Sequence, residues 1–529
     1  MSTPPDEHDD NEAQGARPVW GMGEERTGER RRHRSNKELR QAAKLAPEYS
    51  SPFRPRVCRR EKVVAAFILL TLLFMPWALG SMRPWTQITA CSLAVAAMLA
   101  LFIPLGKERQ GQSPTALDNL KRLLKFPVFW LGVLFLIYLL VQALNPAWQV
   151  MVTERFRRVY QIAHNPALPS GVAADFWHMN TYRVMIMMGG ALALTCALWV
   201  GVNRRRTVHL LLGVFAVNAV VLGLFALIQR ATGAKEIFWS VSAEGANFYG
   251  PFFYRNHAGS YLYLAFAVAL GLAFYAWRRQ RERGSGSGLQ IMWFVLAMMT
   301  AAAAALTLSR GALFLTGLVA LVGLLFFLLS LRLSDFRAVA VIPTLIILGL
   351  LAAVITYQVQ HTDIEALQKK IARHLEDPSA ELRPYMMEAT VVMIQDQPVW
   401  GWGAGSYRYI SPYYFTRYPI FVHPRTNRLR AFANYAHCDW LQYPMEFGYA
   451  GVSLLGLMLF YWFMKILTHW RGLTRFSLML LAGCLTVFIH ASFEFIFYNP
   501  AILYAYIFVL AAAVKLIVAE RRSLLAATS

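Results

Sequence analysis

Apolar runs dominate the chain. Stretches of about 20 mainly apolar residues, the length that crosses a hydrocarbon core, fall at roughly 63–82, 85–105, 127–144, 183–202, 208–229, 257–277, 290–308, 311–330, 338–357, 448–467, 476–497 and 500–518. The pattern predicts an all-α integral membrane protein with about twelve transmembrane helices. The closely spaced pairs around Arg83 and Arg310 can equally be read as long kinked helices.

The polar connections orient these spans. Alternate ones carry basic clusters: Arg54 to Lys62, Lys121 to Lys125, Arg204 to Arg206, Arg278 to Arg283, Arg332 with Arg337, Arg471 with Arg475, and Arg521 with Arg522. Placing these inside satisfies the positive-inside rule and leaves both termini cytoplasmic. Residues 1–62 then form a disordered basic cytoplasmic tail, and residues 63–529 a polytopic membrane domain. A Gly-Ser run from Gly284 to Gly288 reads as a flexible cytoplasmic linker. The loops outside include three long ones, at about 145–182, 230–256 and 358–447. The last far exceeds what a connection requires, and loops of that kind usually carry function.

Composition supports a membrane setting. The chain is 57% hydrophobic and only 16% charged, where a soluble protein carries about a quarter charged residues. The net charge of +22 lies in short clusters between apolar runs. It does not form the single basic face with interleaved aromatics expected of a nucleic-acid binder, so no nucleic-acid partner is expected. Of the five cysteines, Cys91, Cys196 and Cys484 fall in spans, Cys58 in the tail and Cys438 outside, which leaves no external disulfide within one chain. The tail's His8-Asp9-Asp10 run reads as a solvated acidic patch.

The large outer loop is organised. Ile364, Leu367, Ile371 and Leu375 recur at helical spacing among basic residues, the pattern of an amphipathic helix on a membrane surface. A second helix is expected from Arg383 to Gln395, stopping at Pro398. Gly401, Gly403 and Gly405 follow in alternation, as a tight turn that lets backbone approach a ligand or as a plain hairpin-like turn. The stretch from Ala436 to Gln442 opens a third helix, with Asp439, Gln442 and Glu446 on one face.

Arginine is frequent on the outer side, at Arg155, Arg157, Arg158, Arg255, Arg310, Arg383, Arg408, Arg417, Arg425, Arg428 and Arg430. Guanidinium groups suit a phosphate ligand presented from the membrane; snorkelling towards lipid headgroups is the alternative. Arg255 and Arg310 adjoin apolar runs, where a charge usually faces a cavity. His490 and Glu494 lie one turn apart near the outer end of a span. His437 stands outside, at a helix start, where an imidazole suits acid–base chemistry. No Asp-x-Asp pair appears in an outer loop, so no metal site and no cofactor are expected, and arginines would stabilise phosphate charge instead.

Four segments together resemble the O-antigen ligase and O-antigen polymerase (Wzy-like) superfamily of bacterial envelope glycosyltransferases, over about residues 180–515. Gly250 to Gly259, containing Tyr254-Arg255-Asn256-His257, is similar to its G-x-F-x-N-R-N-H segment. Leu308 to Ala312 is similar to its S-R-G segment. Gln397 to Tyr407, then Ala436 to Gln442 and Glu446 to Gly448, resemble its glycine-run and A-H-N-D-x-L-Q … E-x-G signature. His490 to Pro500 is similar to the segment that follows. The chain departs from the pattern in having Tyr254 before Arg255 and Cys438 after His437.

The resemblance implies a GT-C-like helical fold in the bacterial inner membrane. It implies metal-independent transfer of a glycan from an undecaprenyl-diphosphate carrier, at the extracytoplasmic face, to a glycan or lipid A-core acceptor. Arg255 and Arg310 would hold the diphosphate, His437 would act as base or positioner, and Arg383 would support them. His257, Asp439, Gln442, Glu446, Gly401, Gly403, Gly405, His490 and Glu494 would complete the substrate-binding set. Ligase in lipopolysaccharide biosynthesis and polymerase of an exopolysaccharide-like chain both remain open. A lipid-linked glycan flippase would instead line its spans with charge at mid-membrane, and these spans are nearly free of charge at their centres.

Overall fold

The computed structural model describes residues 58–104, 114–152, 157–243, 247–283, 288–329, 382–429 and 433–528. The expected span at 338–357, the amphipathic helix at 364–375, Arg430 and nearly all of the tail and of the Gly-Ser linker lie outside the described residues.

The described chain is mostly helical. In order it forms α1 (Arg59–Trp77), α2 (Pro84–Leu99), α3 (Ala116–Leu124), α4 (Pro127–Leu144), β1 (Pro146–Val152), β2 (Arg157–Gln161), β3 (Gly171–Ala173), α5 (Thr181–Cys196), α6 (Arg205–Ala231), α7 (Arg255–Arg283), α8 (Leu289–Ala305), α9 (Arg310–Leu328), α10 (Leu382–Asp396), α11 (Tyr407–Phe415), α12 (Asp439–Thr468), α13 (Arg475–His490) and α14 (Pro500–Thr528). Among the described residues seven helices are long and apolar enough to cross a membrane by length and composition. α2, α8 and α13 are shorter apolar helices. The pairs around Arg83 and Arg310 are separate helices, each interrupted by a short turn.

Two differences from the expected pattern matter. The loop at 145–182 is not purely irregular: it folds into a three-stranded sheet of order β2-β1-β3, with β1 antiparallel to β2 and parallel to β3. Val150 and Val172 are buried there against Tyr409, and β-branched and aromatic residues suit such a pleated, half-buried surface. The stretch expected as a span at 476–497 stops being helical at His490, and residues 491–499 form a turn before Pro500 opens α14. This turn carries Glu494.

The core runs through the helix bundle, with α7 and α14 at its centre; their apolar residues from Tyr261 to Ala269 and, except for the partly buried Ile507, from Ile502 to Val514 are buried. A second, smaller core joins α10 and α11 through Met386, Met393, Tyr407, Ile410 and Phe415. It forms a cap over one end of the bundle, held there by the Gly401–Gly405 segment.

Candidate functional site

The cap is fastened by backbone contact. α12 is broken at Gly448, whose φ is +61°, and the chain from Val399 to Gly405 runs against the break. Trp402 N donates to Met445 O at 2.8 Å and Gly403 N to Glu446 O at 2.9 Å. A Cβ on Gly401 would stand 2.4 Å from Gly448 N, and one on Gly403 2.4 Å from Gly171 Cα. Both positions also have φ in the left-handed region, at +71° and +96°. The glycines permit a close approach, as expected, but what they approach is the protein's own backbone.

Glu446 closes this knot. It is fully buried. Its Oε2 accepts from Gly405 N at 2.6 Å and from the Tyr498 hydroxyl, and its Oε1 accepts from Tyr407 N at 3.3 Å and Gln442 Nε2 at 3.0 Å. Gln442 Oε1 accepts from Ala436 N at 2.9 Å. Asp439, also fully buried, accepts from Phe497 N at 2.7 Å, while its own N–H donates to Ala491 O at 2.8 Å. Asp439, Gln442 and Glu446 do share a face, and that face points into the protein. They hold the glycine segment and the 491–499 turn in register.

The turn places Glu494 at a convergence of four chain segments. The Glu494 side chain is only 3% exposed. Its Oε1 accepts from Asn256 Nδ2 at 2.7 Å and from Arg383 Nη2 at 2.7 Å. Its Oε2 lies 3.1 Å from His437 Nδ1. Burial alone would raise this carboxyl's pKa, but the His437 hydrogen bond and the nearby positive groups, Arg383 among them, outweigh it and hold it at about 2. The ionised carboxylate can only accept, so His437 Nδ1 carries a proton, and in the neutral ring Nε2 is left as the acceptor.

His437 is 29% exposed and Arg383 is 44% exposed. His437 has φ of +52°, a strained backbone of the kind that persists where surroundings impose it. Its ring meets Phe495 edge-on at 5.1 Å, and Tyr435 stacks on the same Phe495 at 4.2 Å.

Arg255 and Arg310 are the first residues of α7 and α9, and both are exposed. Helix starts carry unpaired N–H groups and partial positive charge, which adds to a guanidinium in attracting an anion. Each is tied to the Glu494 turn through its neighbour. Asn256 bonds to Glu494 as described. Gly311 packs so closely that a Cβ there would stand 2.8 Å from both His490 Nε2 and Phe493. Ser309 caps α9, accepting from Ala312 N at 3.2 Å. Leu308, with φ of +57°, makes the tight turn before it.

His257 and His490 are buried behind this surface. His257 Nε2 donates to Phe495 O at 3.1 Å, and Asn499 Nδ2 donates to its Nδ1 at 3.3 Å. His490 Nδ1 lies 2.9 Å from Ser260 Oγ and 3.1 Å from the Tyr263 hydroxyl. Both position the turn and stand away from solvent.

Two cavities meet at Tyr254, Asn434 and Tyr435. One, of about 310 Å³, is lined by Arg383, His437 and Phe495. The other, of about 430 Å³, is lined by Arg83, Arg183, Arg408, His178 and Trp177. Arg408 lies over the Tyr435 ring at 5.2 Å. Arg255 and Arg310 line neither cavity; they stand at the same end of the bundle. Sequence reading did not single out Asn256, Tyr435 or the Arg83–Arg183 pair as site residues. Asn256 was within reach of it, lying between Arg255 and His257; the others come from distant segments with no shared spacing.

Residues 294–456 match the family described as O-antigen ligase. No curated protein matches the chain. The matched stretch contains Arg310, Arg383, the glycine run, His437 and Glu446 and ends inside α12. It supports the O-antigen ligase and polymerase superfamily, an O-antigen ligase- or polymerase-like function and, with the apolar helices, a multi-pass membrane protein.

Proposed function

We propose that this chain is a glycosyltransferase that moves a glycan from a lipid diphosphate carrier of the undecaprenyl type to an acceptor hydroxyl at the extracytoplasmic face. The observation that carries this reading is the Glu494 cluster: one buried carboxylate joins an acid–base imidazole to a guanidinium, beside two helix starts that each bear an arginine.

In this reading each group has one role. His437 Nε2 takes the proton from the acceptor hydroxyl as that oxygen attacks the anomeric carbon. The bond from that carbon to the diphosphate oxygen breaks, and the electron pair leaves with the diphosphate. Arg255 and Arg310 bind the departing charge, with the helix starts adding to the field. Arg383 supports them from the side of Glu494. Glu494 acts through His437: its charge fixes the ring's tautomer and favours the imidazolium that forms. Its low pKa makes it a poor base in its own right. Glu446 and Glu494 each have both carboxylate oxygens engaged by protein donors, which fits charge stabilisation by arginine in place of a metal. The Arg83–Arg408 cavity, contiguous with that of His437, suits the second substrate.

The test is complementation of a strain lacking the gene with His437→Ala or Arg310→Ala. Loss of the envelope glycan on gels, with membrane insertion intact, is the expected result; an unchanged profile sinks the reading. In the deletion strain, long glycan accumulating on the carrier identifies a ligase, and single repeat units identify a polymerase. EDTA should leave transfer unchanged.

A further inference from the structure

At the end of the bundle away from Glu494 lies a cavity of about 860 Å³, larger than either cavity at the candidate site. The start of α6, the last turns of α7, the start of α13 and the last part of α14 border it. Arg205, Arg278, Arg279, Arg281 and Arg475 line it, against two carboxylates, Glu282 and Glu520. That leaves a surplus of three positive charges around one space.

The carboxylates are not evenly shared. Glu520 pairs with Arg205 at 2.7 Å and with Arg278 at 3.1 Å, and Arg278 also pairs with Glu282 at 2.8 Å. Arg279 bonds to the Tyr275 hydroxyl at 3.3 Å, and Arg475 to Leu329 O at 3.1 Å, so both meet neutral groups among the described residues. The wall between them is aromatic: His209 stacks on Tyr275 at 4.2 Å and on Phe476 at 5.3 Å.

Apart from Thr474, the remaining lining is apolar, with Phe274, Trp277, Leu478 and Leu516 among it. A site for a soluble anion has no use for such a wall. The cavity also stands at the ends of α6, α7 and α14, helices of membrane-crossing length, where lipid headgroups lie. We infer that this cavity is a binding site for the headgroup of an anionic phospholipid bearing more than one phosphate. The arginines take the phosphates, and the apolar wall takes the glycerol and first acyl carbons. The site is separate from the transfer chemistry, and binding there is measurable whether or not transfer occurs.

The test uses the purified full chain in detergent, with cardiolipin or phosphatidylglycerol added and bound lipid read by native mass spectrometry. Cardiolipin is expected to bind more tightly than phosphatidylglycerol. The double variant Arg279→Gln/Arg475→Gln removes two charges without stranding Glu520 and should bind cardiolipin about 30-fold more weakly. If the double variant does not survive purification, Arg279→Gln alone should weaken binding about 5-fold. Glu520→Gln, which removes a competing carboxylate, should strengthen it. Arg471→Gln, at the same end but outside the cavity, should leave it unchanged. Equal cardiolipin affinity in wild type and the double variant overturns the site. So does an equal loss in Arg471→Gln, which would mark a diffuse basic surface. Displacement of cardiolipin by an equal concentration of inorganic diphosphate overturns the lipid assignment in favour of a soluble polyphosphate.

Discussion

Glu446 and Glu494 are both buried carboxylates at the same end of the bundle, and they serve opposite ends. Glu446 is surrounded by donors that are part of the fold: two backbone N–H groups, a tyrosine hydroxyl and a glutamine amide. Glu494 meets a half-exposed arginine, a partly exposed histidine and an asparagine. The first arrangement leaves nothing for a substrate to reach. The second presents an imidazole nitrogen and a guanidinium to a cavity, held by a charge that solvent does not screen. Burial of an acid therefore does not by itself mark chemistry; what its partners expose does.

The largest effect is expected at His437. His437→Ala should lower the transfer rate about 1,000-fold, within the usual range for a general base, while detergent-solubilised protein loses far less melting temperature than a Glu446 variant. A fall in melting temperature matching that of a Glu446 variant would put His437 in the scaffold instead.

Glu446→Gln should do the reverse. It places an amide against the Gly405 and Tyr407 N–H groups and leaves a buried donor without a partner, at about 3 kcal/mol or more. Gly401→Ala should cost a similar amount, since its Cβ would stand 2.4 Å from backbone at a φ of +71°. Both are read as lost monodisperse protein in size-exclusion chromatography, and wild-type yields from either would show that the knot is dispensable.

Glu494→Gln should keep the fold better and reduce transfer about 30-fold, because the ring loses the charge that favours its protonated form. Retention of full activity would remove Glu494 from the mechanism.

The pH dependence sharpens the same contrast. Glu494 is depressed from its ordinary value of 4.5 to about 2, so its share of stability is fully present above 4.5 and is lost as pH falls through about 2. The melting-temperature gap between wild type and Glu494→Gln should thus persist from neutral pH down to about 5 and shrink below 4.5. A gap that closes near neutral pH would contradict the carboxylate's low pKa.

The smallest effect is expected at Cys438. This residue is buried and carries no disulfide, and Cys438→Ser should change activity and melting temperature little.

Much of this architecture was legible in the residue pattern. Apolar length alone located the long helices, because a chain segment in hydrocarbon must satisfy its own backbone groups. Each expected span apart from 338–357, which lies outside the described residues, contains a helix. The expected helix from Arg383 to Gln395 is observed as Leu382–Asp396, its boundary set by the proline that follows. The roles of Arg255, Arg310 and His437 as chemistry-bearing groups stay proposals, but their gathering at one end of the bundle was already implied by the alternation of loops.

The tertiary structure decided the rest, since it concerns partners far apart in the chain. Spacing shows that Asp439, Gln442 and Glu446 share a face but not whether that face meets a substrate or the protein, and packing turns it inward. Alternating glycines announce a close approach without saying to what; here it is the break at Gly448. Asn256, Arg383 and His437 meet through Glu494 because three helices end at one level, a coincidence of lengths and crossings that local pattern does not encode. Hydrophobic periodicity is a property of neighbours along the chain, whereas the meeting of side chains across a bundle depends on how whole helices pack.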